Sequence, residues 1–191
     1  MFRIVSVGLL ILALAIPSYA IQQKWVGVVG CSNSQLVEQA YRNVSDLDIT
    51  WNAAKWGADL KVWAVHNGVW KTFDSNLASK GATAVWYPLC IIAGSYPNTD
   101  AAWLDFMKFL LKLRQRTQAP LFLAASNGSR ESCAADDNAM QEAIVQRAVD
   151  LGYAQRSLPE IPPASAPDGN CHFNSNLSTN VGQAAVDFLD E

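Results

Sequence analysis

Ser32 is the residue best placed in this chain to act as a nucleophile. It ends the stretch Val26-Gly27-Val28-Val29-Gly30-Cys31-Ser32, where a short apolar run meets a tight turn before a segment of helical spacing. A serine there lies at the C-terminal end of a strand and the N-terminal end of a helix. Open α/β sheets form crevices at such strand ends, and helix N-termini offer unpaired N–H groups to developing negative charge. A hydroxyl becomes nucleophilic when a base lies within hydrogen-bond reach and a third group orients that base. The chemistry to test is therefore acyl transfer.

The chain contains two histidines, His66 and His172. His66, in Trp63-Ala64-Val65-His66-Asn67-Gly68, has no acid beside it and reads as an ordinary surface or capping residue. His172 lies in Pro167-Asp168-Gly169-Asn170-Cys171-His172-Phe173-Asn174, ahead of the last expected helix. Asp168 precedes it closely and Cys171 can pin its backbone. The local pattern leaves two readings open: Asp168 and His172 as orienter and base for Ser32, or a solvated turn carrying an unremarkable histidine.

The elements that must position these groups follow from apolar spacing. Strands are expected at Trp25–Gly30, Asp48–Trp51, Thr83–Ile92 and Leu121–Ala125, with a weaker one at Tyr153–Leu158. Thr83–Ile92 is almost continuously apolar, as a central parallel strand covered on both faces must be. Helices are expected at Ser34–Val44, after Gly57 with Asp59 in the N-terminal turn, and at Trp70–Lys80 ended by Gly81. Further helices are expected from Asp100 as N-cap towards Pro120, at Asn138–Leu151 and at Thr179–Asp190. Pro159–Pro167 reads as a rigid surface connection. Strands alternating with helices imply right-handed crossovers. The fold class is α/β: a three-layer α/β/α sandwich with a mostly parallel, about five-stranded flavodoxin-like sheet.

Composition bounds the partners and the compartment. Residues 1–20 combine Arg3, an apolar run from Ile4 to Ile16 and the small residues around Ser18-Tyr19-Ala20, the pattern of an export signal cleaved after Ala20. The expected domains are a signal peptide, 1–20, and a catalytic domain, 21–191. The leader carries a single charge, so the remainder sets 13 basic against 17 acidic residues. With no basic patch, nucleic acid is not expected as a partner. No membrane contact is expected after cleavage, and the location is secreted, extracellular or periplasmic. Four cysteines, Cys31, Cys90, Cys133 and Cys171, suit two disulfides in an exported chain. None has zinc-ligand spacing, so no metal or cofactor is expected.

Together these residues resemble the SGNH/GDSL hydrolases, a superfamily of esterases, lipases and carbohydrate deacetylases. Gly30-Cys31-Ser32 is similar to that family's Gly-Asp-Ser nucleophile turn, and Ser32-Asn33-Ser34 to the Gln-Ser-Asn variants among carbohydrate acetylesterases. Asn52-Ala53-Ala54-Lys55-Trp56-Gly57-Ala58-Asp59 resembles the second block and implies Gly57 as an oxyanion-hole donor. Gly94-Ser95-Tyr96-Pro97-Asn98-Thr99-Asp100 stands where the third block does and implies Asn98 as another. Asp168, His172, Phe173, Asn174 and Gly182 resemble the last block. Cys31 replaces the family's aspartate, and Asp168 stands four rather than three residues before His172.

The resemblance implies a secreted serine esterase with Ser32, His172 and Asp168 as its triad. It would act on acetyl or other short acyl esters, on a small molecule or a glycan. The two departures motivate the alternative, a non-catalytic module of the same fold that binds a glycan or a partner. The family topology also implies the pairing Cys31–Cys90 with Cys133–Cys171. Of seven tryptophans, all between residues 25 and 103, most read as core. Trp56, beside Gly57, has the second reading of a substrate-facing ring able to stack on a sugar.

Overall fold

The computed structural model describes residues 24–92, 94–125, 135–157 and 178–190. The expected leader, the Pro159–Pro167 connection, Cys133, Cys171, Asp168 and His172 lie outside them. The elements run β1 (Val26–Val28), α1 (Ser32–Val44), β2 (Thr50–Asn52), α2 (Leu60–Val65) and, after a single 3-10 turn, α3 (Trp70–Lys80). There follow β3 (Ala84–Leu89), α4 (Thr99–Arg114), β4 (Leu121–Ala125), α5 (Ala135–Asp150), β5 (Gln155–Arg156) and α6 (Ser178–Leu189).

The five strands form one parallel sheet in the order β2-β1-β3-β4-β5. This is the flavodoxin-like order expected from the alternation of strands and helices. On one face Val37, Ala40 and Tyr41 of α1 meet Val181, Ala185 and Leu189 of α6 over Val26, Val28 and Trp86. On the other, α2 to α5 bury Trp63, Trp70, Phe73, Phe106, Phe109 and Ile144 against Val85, Tyr87 and Leu123. Every residue of β3 is buried, as its apolar run requires.

Two details of the layers bear on the site. A Cβ placed on Gly182 would lie 2.3 Å from the Ala40 carbonyl oxygen, so α6 crosses α1 at a distance only glycine permits. Pro88 stands inside β3, where a proline removes a ladder donor. The β1 ladder has ended by then, its last partner in β3 being Trp86, so no β1 acceptor is deprived. The Pro88 carbonyl instead accepts a bond from Ser34.

Three boundaries differ from expectation. Asn98, not Asp100, caps α4: its backbone is extended and its Oδ1 accepts the Ala101 N–H at 2.9 Å. Asp100 falls in the first turn, where a carboxylate suits the helix dipole. Helix α5 begins at Ala135 rather than Asn138, and β5 keeps only two residues because Ala148 accepts the Tyr153 N–H and holds that residue to the helix end.

Candidate active site

The helices after β1 and β3 leave to opposite faces of the sheet, which opens a crevice between those strands at their C-terminal ends. Ser32 lies there as the first residue of α1, 9% exposed. The turn before it is determined residue by residue. Gly30 takes φ +131°, and a Cβ there would meet Ser34 Oγ at 2.0 Å. Its carbonyl accepts the Lys55 N–H at 2.9 Å and the Trp63 indole N–H at 3.0 Å. Cys31 is the N-cap of α1, and its N–H donates to Ser34 Oγ at 3.1 Å. The Ser34 hydroxyl in turn donates to the Pro88 carbonyl at 2.8 Å. Cys31 is also disulfide-bonded to Cys90, just beyond the end of β3. The turn is thus tied to β3 twice, once covalently.

The loop from β2 to α2 brings Gly57 to the same end of the sheet. The Lys55 N–H bond to Gly30 lays the loop against the nucleophile turn. Residues 55–58 then form a tight turn closed by Ala58 N–H to the Lys55 carbonyl at 3.1 Å, with Gly57 at φ +69° in its third position. Gly57 is exposed. Among the described residues its N–H meets no acceptor.

Helix α1 grips this loop as well as carrying Ser32. Gln35 Nε2 donates to the Ala54 carbonyl at 2.7 Å. Glu38, only 5% exposed, accepts from Asn52 Nδ2 at 3.1 Å, from the Thr50 hydroxyl at 2.9 Å and from Arg42 Nε. Asn52 Oδ1 then accepts the Ala54 N–H at 2.8 Å. Sequence reasoning missed Gln35 and Glu38. The only signal was the i, i+4 spacing of Glu38 and Arg42, which ordinarily marks a solvated helix face.

A second polar cluster joins α2 to the loop after β3. Asp59 caps α2 by accepting the Val62 N–H and accepts the Ser95 hydroxyl on its other oxygen at 2.9 Å. The Leu60 N–H donates to the Cys90 carbonyl at 2.9 Å. Tyr96 donates to Asp105, which Lys108 also pairs. Burial pushes the Tyr87 and Tyr96 phenols well above their ordinary range, aided by the charges of Asp59 and Asp105 respectively. Both therefore remain neutral hydroxyls in the folded protein. Asn98 lies at the end of this loop, exposed, its side-chain oxygen engaged as the α4 cap.

Ser32, Gly57 and Cys31–Cys90 thus fall on loops joined at one end of the sheet. Asn98 is reached through the cluster that begins at Asp59. His66 is exposed at the C-cap of α2, the surface position expected of it. Asp168, His172 and the Cys133–Cys171 pairing lie outside the described residues. No group of three or more metal-ligating side chains occurs among the described residues. No helix among them is long and apolar enough to cross a membrane.

No family model matches the chain, and no curated protein matches it in sequence. Solved structures do. The psychrotrophic esterase EstA from Pseudoalteromonas sp., in a form inhibited by monoethylphosphonate, superposes with a TM-score of 0.57 at 11% identity, over 87% of this chain and 97% of its own. TesA superposes with a TM-score of 0.54 at 12% identity, over 86% of this chain and 97% of its own. The chain has the fold of these proteins. That is the fold the SGNH/GDSL resemblance implied, and one of the two structures is of an esterase.

Proposed function

We propose that this chain is an exported serine ester hydrolase. The observation that carries the proposal is the place of Ser32: first residue of α1, at the C-terminal end of β1, beside the sheet's switch point. The fold shared with the esterase EstA supports the same reading.

In this reading Ser32 Oγ attacks an ester carbonyl while His172 takes its proton, and Asp168 orients the imidazole. The N–H groups of Ser32 and Gly57 and the Asn98 amide hold the oxyanion, with the positive end of α1 behind them. His172 returns the proton to the departing alcohol, leaving an acyl group on Ser32. A water molecule, deprotonated by His172, then releases the acid and restores the serine. The substrates are acetyl or other short acyl esters of a small molecule or glycan.

The competing reading, a non-catalytic binding module, draws on Cys31. The residue that replaces the family's acid is half of a disulfide. Ser32→Ala discriminates between them. Hydrolysis of an activated acetyl ester is expected to vanish while circular dichroism and melting stay those of the parent, and unchanged turnover would reject the hydrolase.

A further inference from the structure

Five of the seven tryptophans are buried and Trp25 is half-buried, whereas Trp56 is 67% exposed. A single surface tryptophan is unremarkable when it sits on a loose loop. This one does not. It occupies the second position of the 55–58 turn, and the residues on either side are anchored: Ala54 to Gln35 and Asn52, Lys55 to Gly30, and Ala58 to Lys55. The fold therefore spends several hydrogen bonds on presenting an indole to solvent, one residue from Gly57 and one from the residue bonded to the nucleophile turn.

The surroundings select the chemistry of what would lie on it. A Cβ on Gly57 would meet nothing within 4 Å, so the space beside the ring is open rather than walled. An acyl chain or an aryl group gains most from a pocket that encloses both its faces. A sugar ring offers one face of C–H groups and a rim of hydroxyls, and needs an apolar platform on one side with polar groups around it. Here the rim is polar: the half-buried Lys55 and Gln35 flank the turn, and the Gly57 backbone follows.

We propose that Trp56 is the platform on which a neutral pyranose ring of an acylated glycan stacks while its ester reaches Ser32. This rests on the hydrolase reading and names its alcohol half.

The test compares wild type, Trp56→Ala and Trp56→Phe in the full chain on O-acetylated xylo-oligosaccharides, ethyl acetate and phenyl acetate. Trp56→Ala is expected to lower the ratio of kcat/KM for the glycan ester over that for ethyl acetate by about tenfold, chiefly through KM, as loss of an aromatic stacking partner does. Phenylalanine should restore part of it. An unchanged ratio with Ser32 still reactive towards a fluorophosphonate overturns the platform and leaves the hydrolase standing. A ratio that falls only for phenyl acetate overturns the sugar in favour of an aryl alcohol. If no ester is turned over, unacylated xylo-oligosaccharide is titrated against tryptophan fluorescence. Saturable quenching lost in Trp56→Ala supports the platform, and no quenching in wild type rejects it.

Discussion

Cys31 and Cys90, 59 residues apart in sequence, are bonded across the crevice between β1 and β3, with their Cα atoms 6.0 Å apart. The bond therefore joins the residue before the candidate nucleophile to the strand whose following loop leads to Asn98. It occupies the place where the family resemblance would put an acid.

Replacing both cysteines, as Cys31→Ser with Cys90→Ser, should cost about 4 kcal/mol of stability on the chain-entropy account for a loop of this length. Urea unfolding of the variant against the oxidised parent measures it. Activity should fall by more than the folded fraction does, because the turn loses its covalent tie to β3. A variant as active per folded molecule as the parent would show that the hydrogen bonds of Ser34 hold the turn alone.

Glu38→Ala removes the acceptor shared by Asn52, Thr50 and Arg42. Arg42 is partly solvated, which tempers the effect, but the buried Thr50 hydroxyl and the Asn52 amide lose their partner. The expected loss is about 1–3 kcal/mol. Hydrogen exchange should show the Ala54 amide opening first, since its acceptor is the Asn52 side chain. Uniform destabilisation without that local change would contradict the clamp.

The architecture was legible in the sequence because β3 is apolar on both faces and each helix carries a clear buried stripe. The Cys31–Cys90 pairing followed from the strand order that the family resemblance brought. Boundaries were less legible: Asn98 and Asp100 are both good caps, and only the backbone entering α4 decides between them. The grip of α1 on the Gly57 loop could not be read at all. It depends on which helix face turns towards β2, and a Glu–Arg pair four residues apart looks the same whether buried or solvated. Trp56 differs from its six counterparts through the turn it occupies, not through any local pattern of residues.

Gly182→Ala sets two effects against each other. Alanine favours a helix over glycine by about 1 kcal/mol. Its methyl group, however, would stand 2.3 Å from the Ala40 carbonyl oxygen, backbone that cannot rotate aside. Overpacking of this kind costs about 1–3 kcal/mol, so net destabilisation is expected in thermal melts. A stabilised variant would mean that α1 and α6 do not cross at that point.

The chain should lose stability at alkaline pH. Burial raises the Tyr41 phenol to about 12, and its bond to Asp190 acts in the same direction. A raised phenol binds its proton more tightly in the folded state. Its contribution is thus fully present below the ordinary value of 10 and is lost as pH rises from there towards 12. Tyr87 and Tyr96, raised by burial, add to the same trend. Denaturant titrations across this range should show Tyr41→Phe less sensitive to pH than the parent, and equal sensitivity would contradict the assignment.

The central claim is that Ser32 is an activated nucleophile, and a fluorophosphonate probe with mass-spectrometric peptide mapping tests it most directly. The account predicts stoichiometric phosphonylation of Ser32 Oγ with loss of fluoride, and labelling slowed by orders of magnitude in His172→Ala. A folded chain that remains unlabelled, or that reacts at other serines as readily as at Ser32, would contradict it.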